Sequence, residues 1–257
     1  MRAFTKILSG AVAALALTAA APSQAAVFAQ FTPDTGRNIY SWVNNAAGNN
    51  GTGGAFFTTA TPTGTTVGAT NVHFSFLALG LTDLQFVPVK FTLNTTVASG
   101  SPATFTPGPN TWTQTNVNGG FSFIYTGVTK TFGAIQVLHN ANLLSGAFTD
   151  AWIQGNGGTG STNLSIGNGG AFTSLTSDFN LGNVDPSSEE FALNLLGVTP
   201  AFGAKPGKAL KSFRANGGGN FSLEILSVPE PATWTMMLMG FGGMGAMIRR
   251  RRAVAFA

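Results

Sequence analysis

The central part of the sequence predicts an all-β fold, an antiparallel β-sandwich or jelly roll, and three observations lead there. Short apolar runs alternate with polar residues at a period of two. Clusters of Gly, Asn, Thr and Ser separate the runs. No segment between residues 26 and 227 carries the 3.6-residue apolar period of a soluble amphipathic helix. Roughly ten strands at hairpin spacing build layered sheets, whereas an α/β fold would need helical segments between them.

The runs follow one another along the chain. "AFFTTAT" comes directly after Gly53-Gly54. "NVHFSFLALG" puts Val72, Phe74 and Phe76 on one face, and "VPVKFTLNT" does the same for Val87, Val89, Phe91 and Leu93. "FSFIYTG", "AIQVLH", "AFTDAWIQ", "NLSIG" and "AFTSL" come next. "EFALNLLG" aligns Phe191, Leu193 and Leu195, and "ALKSFRA" and "NFSLEILSV" close the series. Four segments share a local pattern of glycines ahead of a Phe-led run: Gly53 to Thr58, Gly119 to Phe123, Gly169 to Ser174 and Gly217 to Leu223. Each is expected as a hairpin turn, with glycine supplying positive φ and Phe opening the buried face. The glycine-dense "NNAAGNNGTGG" and "GNGGTGSTN" are expected as mobile, polar surface loops.

Composition narrows the function classes. A chain of 257 residues without cysteine has no disulfide framework, no Cys-based zinc or iron–sulfur site and no thiol chemistry, and no cofactor is expected. The formal charge of +4 sits at the ends. Between Ala26 and Val228, seven Lys/Arg face eight Asp/Glu, a net of −1, so no nucleic-acid partner is expected for the body.

Both ends read as addresses. Arg2 and Lys6 precede an apolar run from Ile7 to Ala21, and Ser23-Gln24-Ala25 places small residues at the two positions a signal peptidase reads. Residues 1–25 are therefore expected to be a cleavable secretory signal, cut after Ala25, with the bond after Ala26 as the alternative. At the other end, Ala232 to Ile248 has no formal charge and is about 25 Å long as a helix at ~1.5 Å per residue, a short single transmembrane span. Trp234 suits an interfacial anchor, and Arg249, Arg250, Arg251 and Arg252 place that flank in the cytoplasm. The body, residues 26–227, then lies outside. Pro229 and Pro231 flank Glu230 and cannot continue a helix or a sheet ladder, so Val228 to Pro231 is expected as an extended joint open to a protease.

Val228, Pro229, Glu230, Pro231 and Trp234, then the apolar span, then four arginines, resemble the PEP-CTERM sorting signal of Gram-negative bacteria in its PEP-x-x-W form. The resemblance covers residues 228–257 only. It implies transient anchoring in the inner membrane and cleavage by an exosortase-type membrane protease near the Pro-Glu-Pro. Delivery to the cell surface or an extracellular polysaccharide matrix would follow. Tails of this kind also go under the label "ice-binding protein C-terminal domain", which describes the tail and not the body.

Candidate chemistry in the body is sparse. Gly155, Gly157 and Gly160 match G-x-G-x-x-G without the strand and helix that a nucleotide site needs. His73 and His139 are the two histidines, and no G-x-S-x-G accompanies them. Asp34, Asp83, Asp150, Asp178, Asp185, Glu189, Glu190 and Glu224 include no pair marked out for glycoside hydrolysis. "DPSSEE" offers oxygen ligands for calcium without EF-hand spacing. "KPGKALKSFR" either meets an acidic polysaccharide or balances the acidic segment before it, and the second reading is preferred. Thr59 to Thr63 is a short threonine stretch of the kind that faces ice, interrupted by Pro62. The expectation is thus an exported, non-catalytic surface or matrix protein. The alternative is a carbohydrate-binding module using Trp42, Trp112 or Trp152, followed by a secreted glycoside hydrolase or an ice-binding protein.

Overall fold

The computed structural model describes residues 25–34, 36–166, 171–181 and 189–224. Among them it is all-β and antiparallel throughout. The strands are β1 (Ala25–Pro33), β2 (Tyr40–Asn44), β3 (Gly54–Thr58), β4 (Thr70–Phe76), β5 (Val87–Val97), β6 (Thr104–Thr106) and β7 (Thr111–Tyr125). They continue with β8 (Lys130–Phe132), β9 (Ile135–Val137), β10 (Asn142–Asn156), β11 (Ser161–Ile166), β12 (Ala171–Thr176), β13 (Glu189–Thr199) and β14 (Phe213–Glu224). The expected transmembrane segment and most of the expected signal peptide lie outside the described residues. No helix among the described residues is long and apolar enough to cross a membrane.

Alternation places the side chains as the sequence predicts. In β5, Val87, Val89, Phe91, Leu93, Thr95 and Val97 are buried while the residues between them point outward. Val72, Phe74 and Phe76 of β4 and Phe191, Leu193 and Leu195 of β13 behave alike. The ladder runs β14–β1–β4–β5–β7–β10–β11–β13 and returns to β14, so the sheet is closed on itself. The hairpin β2–β3 makes a second bridge between β14 and β5, beside β1–β4. The opposed layers of a sandwich are thus continuous here, which leaves few strand edges free to pair with another chain.

The interior is a phenylalanine cluster. Phe31 of β1 lies 4.8 Å from Phe91, 4.9 Å from Phe123, 6.3 Å from Phe191 and 6.4 Å from Phe221, measured between ring centroids. Phe91 stacks on Phe123 at 4.5 Å, and Phe191 stacks on Phe221 at 4.6 Å. Phe121 and Phe123 of β7 meet Phe221 of β14, a strand with which β7 shares no ladder, so these contacts cross the interior.

Two of the four glycine segments expected as turns are strand interiors instead. Gly119 and Gly120 lie within β7, and Gly217, Gly218 and Gly219 lie within β14. The reason is close approach. A Cβ on Gly119 would stand 2.2 Å from the Asn94 carbonyl oxygen and 2.6 Å from Thr95 Cα. Gly219 faces Phe31 across the ladder and Gly146 faces Phe121; a Cβ would stand 2.8 Å and 2.9 Å from those rings. The glycines are the hollows into which the rings fit.

The segment "NNAAGNNGTGG" also departs from expectation, because it is pinned. Asn44 is buried; its Oδ1 accepts from the backbone N–H of Ala46 and Gly51, and its Nδ2 donates to the carbonyls of Gly51 and Leu210. In "GNGGTGSTN", only residues 157–160 form the turn; the remainder belongs to β10 and β11.

Two outcomes follow from this packing. Gly119→Ala is expected to lower stability by about 1–3 kcal/mol through overpacking against backbone. Gly108→Ala, with nothing within 4 Å of the added Cβ, should stay within ~0.5 kcal/mol, both read from denaturant midpoints. Tyr40 is wholly buried, with its hydroxyl donating to the Gly217 carbonyl at 3.4 Å, and burial pushes its phenol well above the ordinary range. The neutral phenol's contribution is fully present below the unfolded value of about 10 and is lost as pH rises above it. Tyr40→Phe should therefore flatten the decline of stability at alkaline pH, measured by unfolding across that window.

Candidate functional site

The first and last described residues lie side by side. In the β1–β14 ladder Ala25 is opposite Glu224 and Ala26 is opposite Leu223. β1 is held on its other edge by β4, from Ala29 opposite Phe76 to Pro33 opposite Val72. Phe28, Ala29 and Phe31 are buried, which fixes the inward face of the strand. Ala25, at the start of β1, and Glu224, at the end of β14, therefore share one end of the ladder. Ala25 and Ala26 are the first residues of β1. Ser23, Val228, Pro229, Glu230, Pro231, Trp234 and Arg249 to Arg252 lie outside the described residues. Loops at that end carry the exposed apolar side chains of Leu77, Phe86, Val128 and Leu138, and Leu77 N–H donates to the Phe28 carbonyl at 2.7 Å.

The opposite end is built from the loops 45–53, 157–160 and 200–212 and the segment 98–110 that carries β6, tied together by backbone hydrogen bonds. Ala209 N–H donates to Gly51 O at 2.9 Å, Ala103 N–H to Lys208 O at 3.0 Å, and Gly158 N–H to Phe202 O at 2.9 Å. Lys205, Lys208 and Lys211 lie here, and no carboxylate lies in these loops. This corrects the preferred sequence reading of the basic segment. From Glu190 to Thr199 strand β13 spans about 30 Å at ~3.3 Å per residue, so these lysines stand far from Glu190, the one carboxylate of the acidic segment whose side chain is described. Lys205 Nζ instead donates to the Gly48 carbonyl and to Asn50 Oδ1.

The three tryptophans separate. Trp42 is 0% exposed, sits against Gly54, and donates its Nε1–H to the Leu210 carbonyl at 2.9 Å. Trp112 is half-buried against the core at the rim, with Phe105 at 4.8 Å. Trp152 lies between the buried Ala151 and Ile153 on β10 and therefore faces outward, where it is half-buried. A platform of all three is excluded by this parity.

The remaining candidates are dispersed. His73 Nδ1 is 3.6 Å from Asp34 Oδ1, and His139 Nδ1 is 2.8 Å from the Gly127 carbonyl oxygen. Asp178 Oδ2 accepts from Asn142 N–H at 2.7 Å. Asp83, Asp150 and Glu190 stand on other elements. Among the described residues no three His, Asp or Glu are grouped to hold a metal ion, and Asp185 of the calcium candidate lies outside them. Asp34, Arg37, Thr61 and Lys90 border a pocket of roughly 110 Å³ beside β4. Thr59 is buried and its hydroxyl donates to the Thr61 carbonyl in a turn, so the threonine stretch is not a flat array. Of the glycines of G-x-G-x-x-G, Gly155 lies within β10 and Gly157 and Gly160 in the turn from β10 to β11, with no helix after them.

Residues 227–252 match the family model described as the PEP-CTERM protein-sorting motif. The chain ends in a PEP-CTERM sorting motif. The tail begins three residues beyond the end of β14, and the matched span contains the Pro-Glu-Pro, Trp234 and all four arginines. A PEP-CTERM tail marks a protein that is exported and sorted by an exosortase, itself a membrane protein. No curated protein and no solved structure matches the chain.

If the ladder between the two ends organises the body, its N-terminal boundary is sharp. A chain starting at Ala26 should unfold in one cooperative transition. A chain starting at Thr32 loses Phe28, Ala29 and Phe31 and should show no such transition by near-ultraviolet circular dichroism.

Proposed function

We propose that this protein is an exported, non-catalytic surface component, processed at both ends and retained in the extracellular polysaccharide matrix. Signal peptidase removes residues 1–25, and the exosortase cuts near Pro229 to Pro231. The observation that supports the reading is the β1–β14 ladder: Ala26, the first residue after the expected signal-peptidase cut, and Glu224, close before the sorting motif, lie on neighbouring strands at one end of the body. The apolar side chains of Leu77, Phe86, Val128 and Leu138 at that end suit a surface that is held next to lipid while the tail is intact.

A non-catalytic role is supported by where the carboxylates stand. A glycosidase needs two carboxyl groups facing one bond. Among the described residues Asp34, Asp83, Asp150, Asp178 and Glu190 join no group of three or more His, Asp or Glu. The low charge and the Asn, Thr and Gly-rich exterior support residence among hydrated sugar chains, which offer hydroxyls rather than charges as partners.

Mass spectrometry of the protein recovered from producing cells, with and without the exosortase, tests the sorting half. The expected mature chain begins at Ala26 and ends close to Pro231 only when the enzyme is present. Recovery of Arg249 to Ala257 on the surface-located protein would contradict it.

A further inference from the structure

The outer wall formed by β7, β10, β11 and β13 carries an aligned row of uncharged hydrogen-bonding side chains. Thr113 is directly opposite Gln154, Gln154 is opposite Asn163, and Asn163 is opposite Asn194. Parity sends all four outward, because their strand neighbours Gln114, Ile153, Leu164 and Leu193 are buried. The next strand in the row presents Gly218, so the row ends where there is no side chain. Gln154 donates its Nε2–H to Thr113 Oγ1 at 3.0 Å, which orients that amide. The side chains of Asn163 and Asn194 make no hydrogen bond to described residues, so their donors and acceptors are open to a ligand.

An indole borders the row. Trp152 is opposite Ser165, one outward position along from the Gln154–Asn163 pair, and so stands diagonal to Asn163, within reach of a long side chain across the ladder. On the other side of the row, a shallow groove of about 200 Å³ is lined by Gln154, Asn156, Ser161 and Asn163 among others, all of them uncharged. The nearest ionisable group on β10 is Asp150, two residues before Trp152, and an anion would be repelled there.

We propose that this wall is a binding site for an uncharged polysaccharide, with Trp152 stacking on the face of one pyranose ring and Gln154, Asn163 and Asn194 hydrogen-bonding to hydroxyls of the units that follow. The spacing suits an extended chain. Adjacent strands are about 4.8 Å apart, so successive amides offer one donor and acceptor set per sugar unit laid across the strands. An indole with an apolar face is complementary to the C–H face of a sugar, and amides match its hydroxyls without charge. Nothing in this arrangement selects an acidic glycan, whose recognition would fall to the lysines at the end of the body. The proposal rests on the reading of the body as matrix-associated and names the surface that does the retaining.

Affinity electrophoresis of the mature protein isolated from producing cells tests it, in gels containing hydroxyethylcellulose, dextran, galactomannan or, as the anionic comparison, alginate. The expected result is retardation in at least one neutral gel, unchanged by high salt. Trp152→Ala and the double variant Asn163→Ala/Asn194→Ala should each weaken it about tenfold or more, while Lys205→Ala/Lys208→Ala/Lys211→Ala leaves it intact. Thermal midpoints equal to that of the parent show that the surface variants remain folded. Retardation in no neutral gel, neutral retardation that both the Trp152 and the Asn variants retain, or retardation only in alginate that the lysine variant abolishes would each overturn the site. The mass of the protein loaded reads the sorting step separately. A chain still carrying its tail that nevertheless binds neutral glycan through Trp152 breaks the processing reading and leaves the site standing.

Discussion

Phenylalanine rings resting on glycine backbone are the constraint from which the rest of the body follows. The closed ladder encloses an interior that must be filled to native density, and it is filled by Phe31, Phe91, Phe121, Phe123, Phe191 and Phe221. Phe31 reaches four of these rings because Gly219, directly opposite, has no side chain in the way. Each buried Phe contributes about 1.5–3 kcal/mol, while a glycine inside a strand costs roughly 0.5–1 kcal/mol in backbone entropy. The exchange favours the rings. It also explains how a chain with 22 Phe and 34 Gly folds without cysteine or extensive ion pairing.

This constraint marks the limit of what the sequence discloses. Alternation in β4, β5 and β13 is a local property, so their buried faces were legible residue by residue. Glycine is not legible in this way. Gly119 and Gly217 look like turn residues from their neighbours, but their role is set by Thr95 and Asn194, which approach them from other strands. β1 and β2 were missed for related reasons: "AAVFAQFTP" is masked by the signal peptide before it, and "YSWVN" is too short to show a period. Tyr40 and Trp42 nevertheless reach the core because β2 lies between β3 and the start of β14.

The same distinction divides the functional features. The sorting motif is contiguous, and its order of Pro-Glu-Pro, apolar span and arginines could be read directly. The polar row is not contiguous: its four members, one hydroxyl and three amides, are drawn from β7, β10, β11 and β13 and meet only through register. Sequence reasoning did reach Trp152, but as one of three tryptophans. Separating it from Trp42 and Trp112 requires knowing which residues on each strand face inward. Composition pointed toward sugar hydroxyls without being able to say where on the surface they would bind.

The placement of the two ends links the fold to export. A chain led out by an N-terminal signal delivers β1 first, yet both ladder partners of β1 come later, β4 soon after and β14 last of all. On the proposed processing, the bond after Ala25 would be met by a peptidase while β1 is still unpaired and extended, since in the finished body Ala25 lies within a ladder opposite Glu224. The C-terminal joint would meet its protease under the opposite condition. β14 has to be outside for the tail to be reached, and once it is outside the sheet can close between β13 and β1. Closing that ladder joins segments nearly the whole body apart, but the entropic cost grows only with the logarithm of loop length, and the intervening strands have by then already shortened the loop. On the proposed processing, folding would therefore separate the two cuts in time: the first would precede closure of the barrel, and the second would release a body that is already closed.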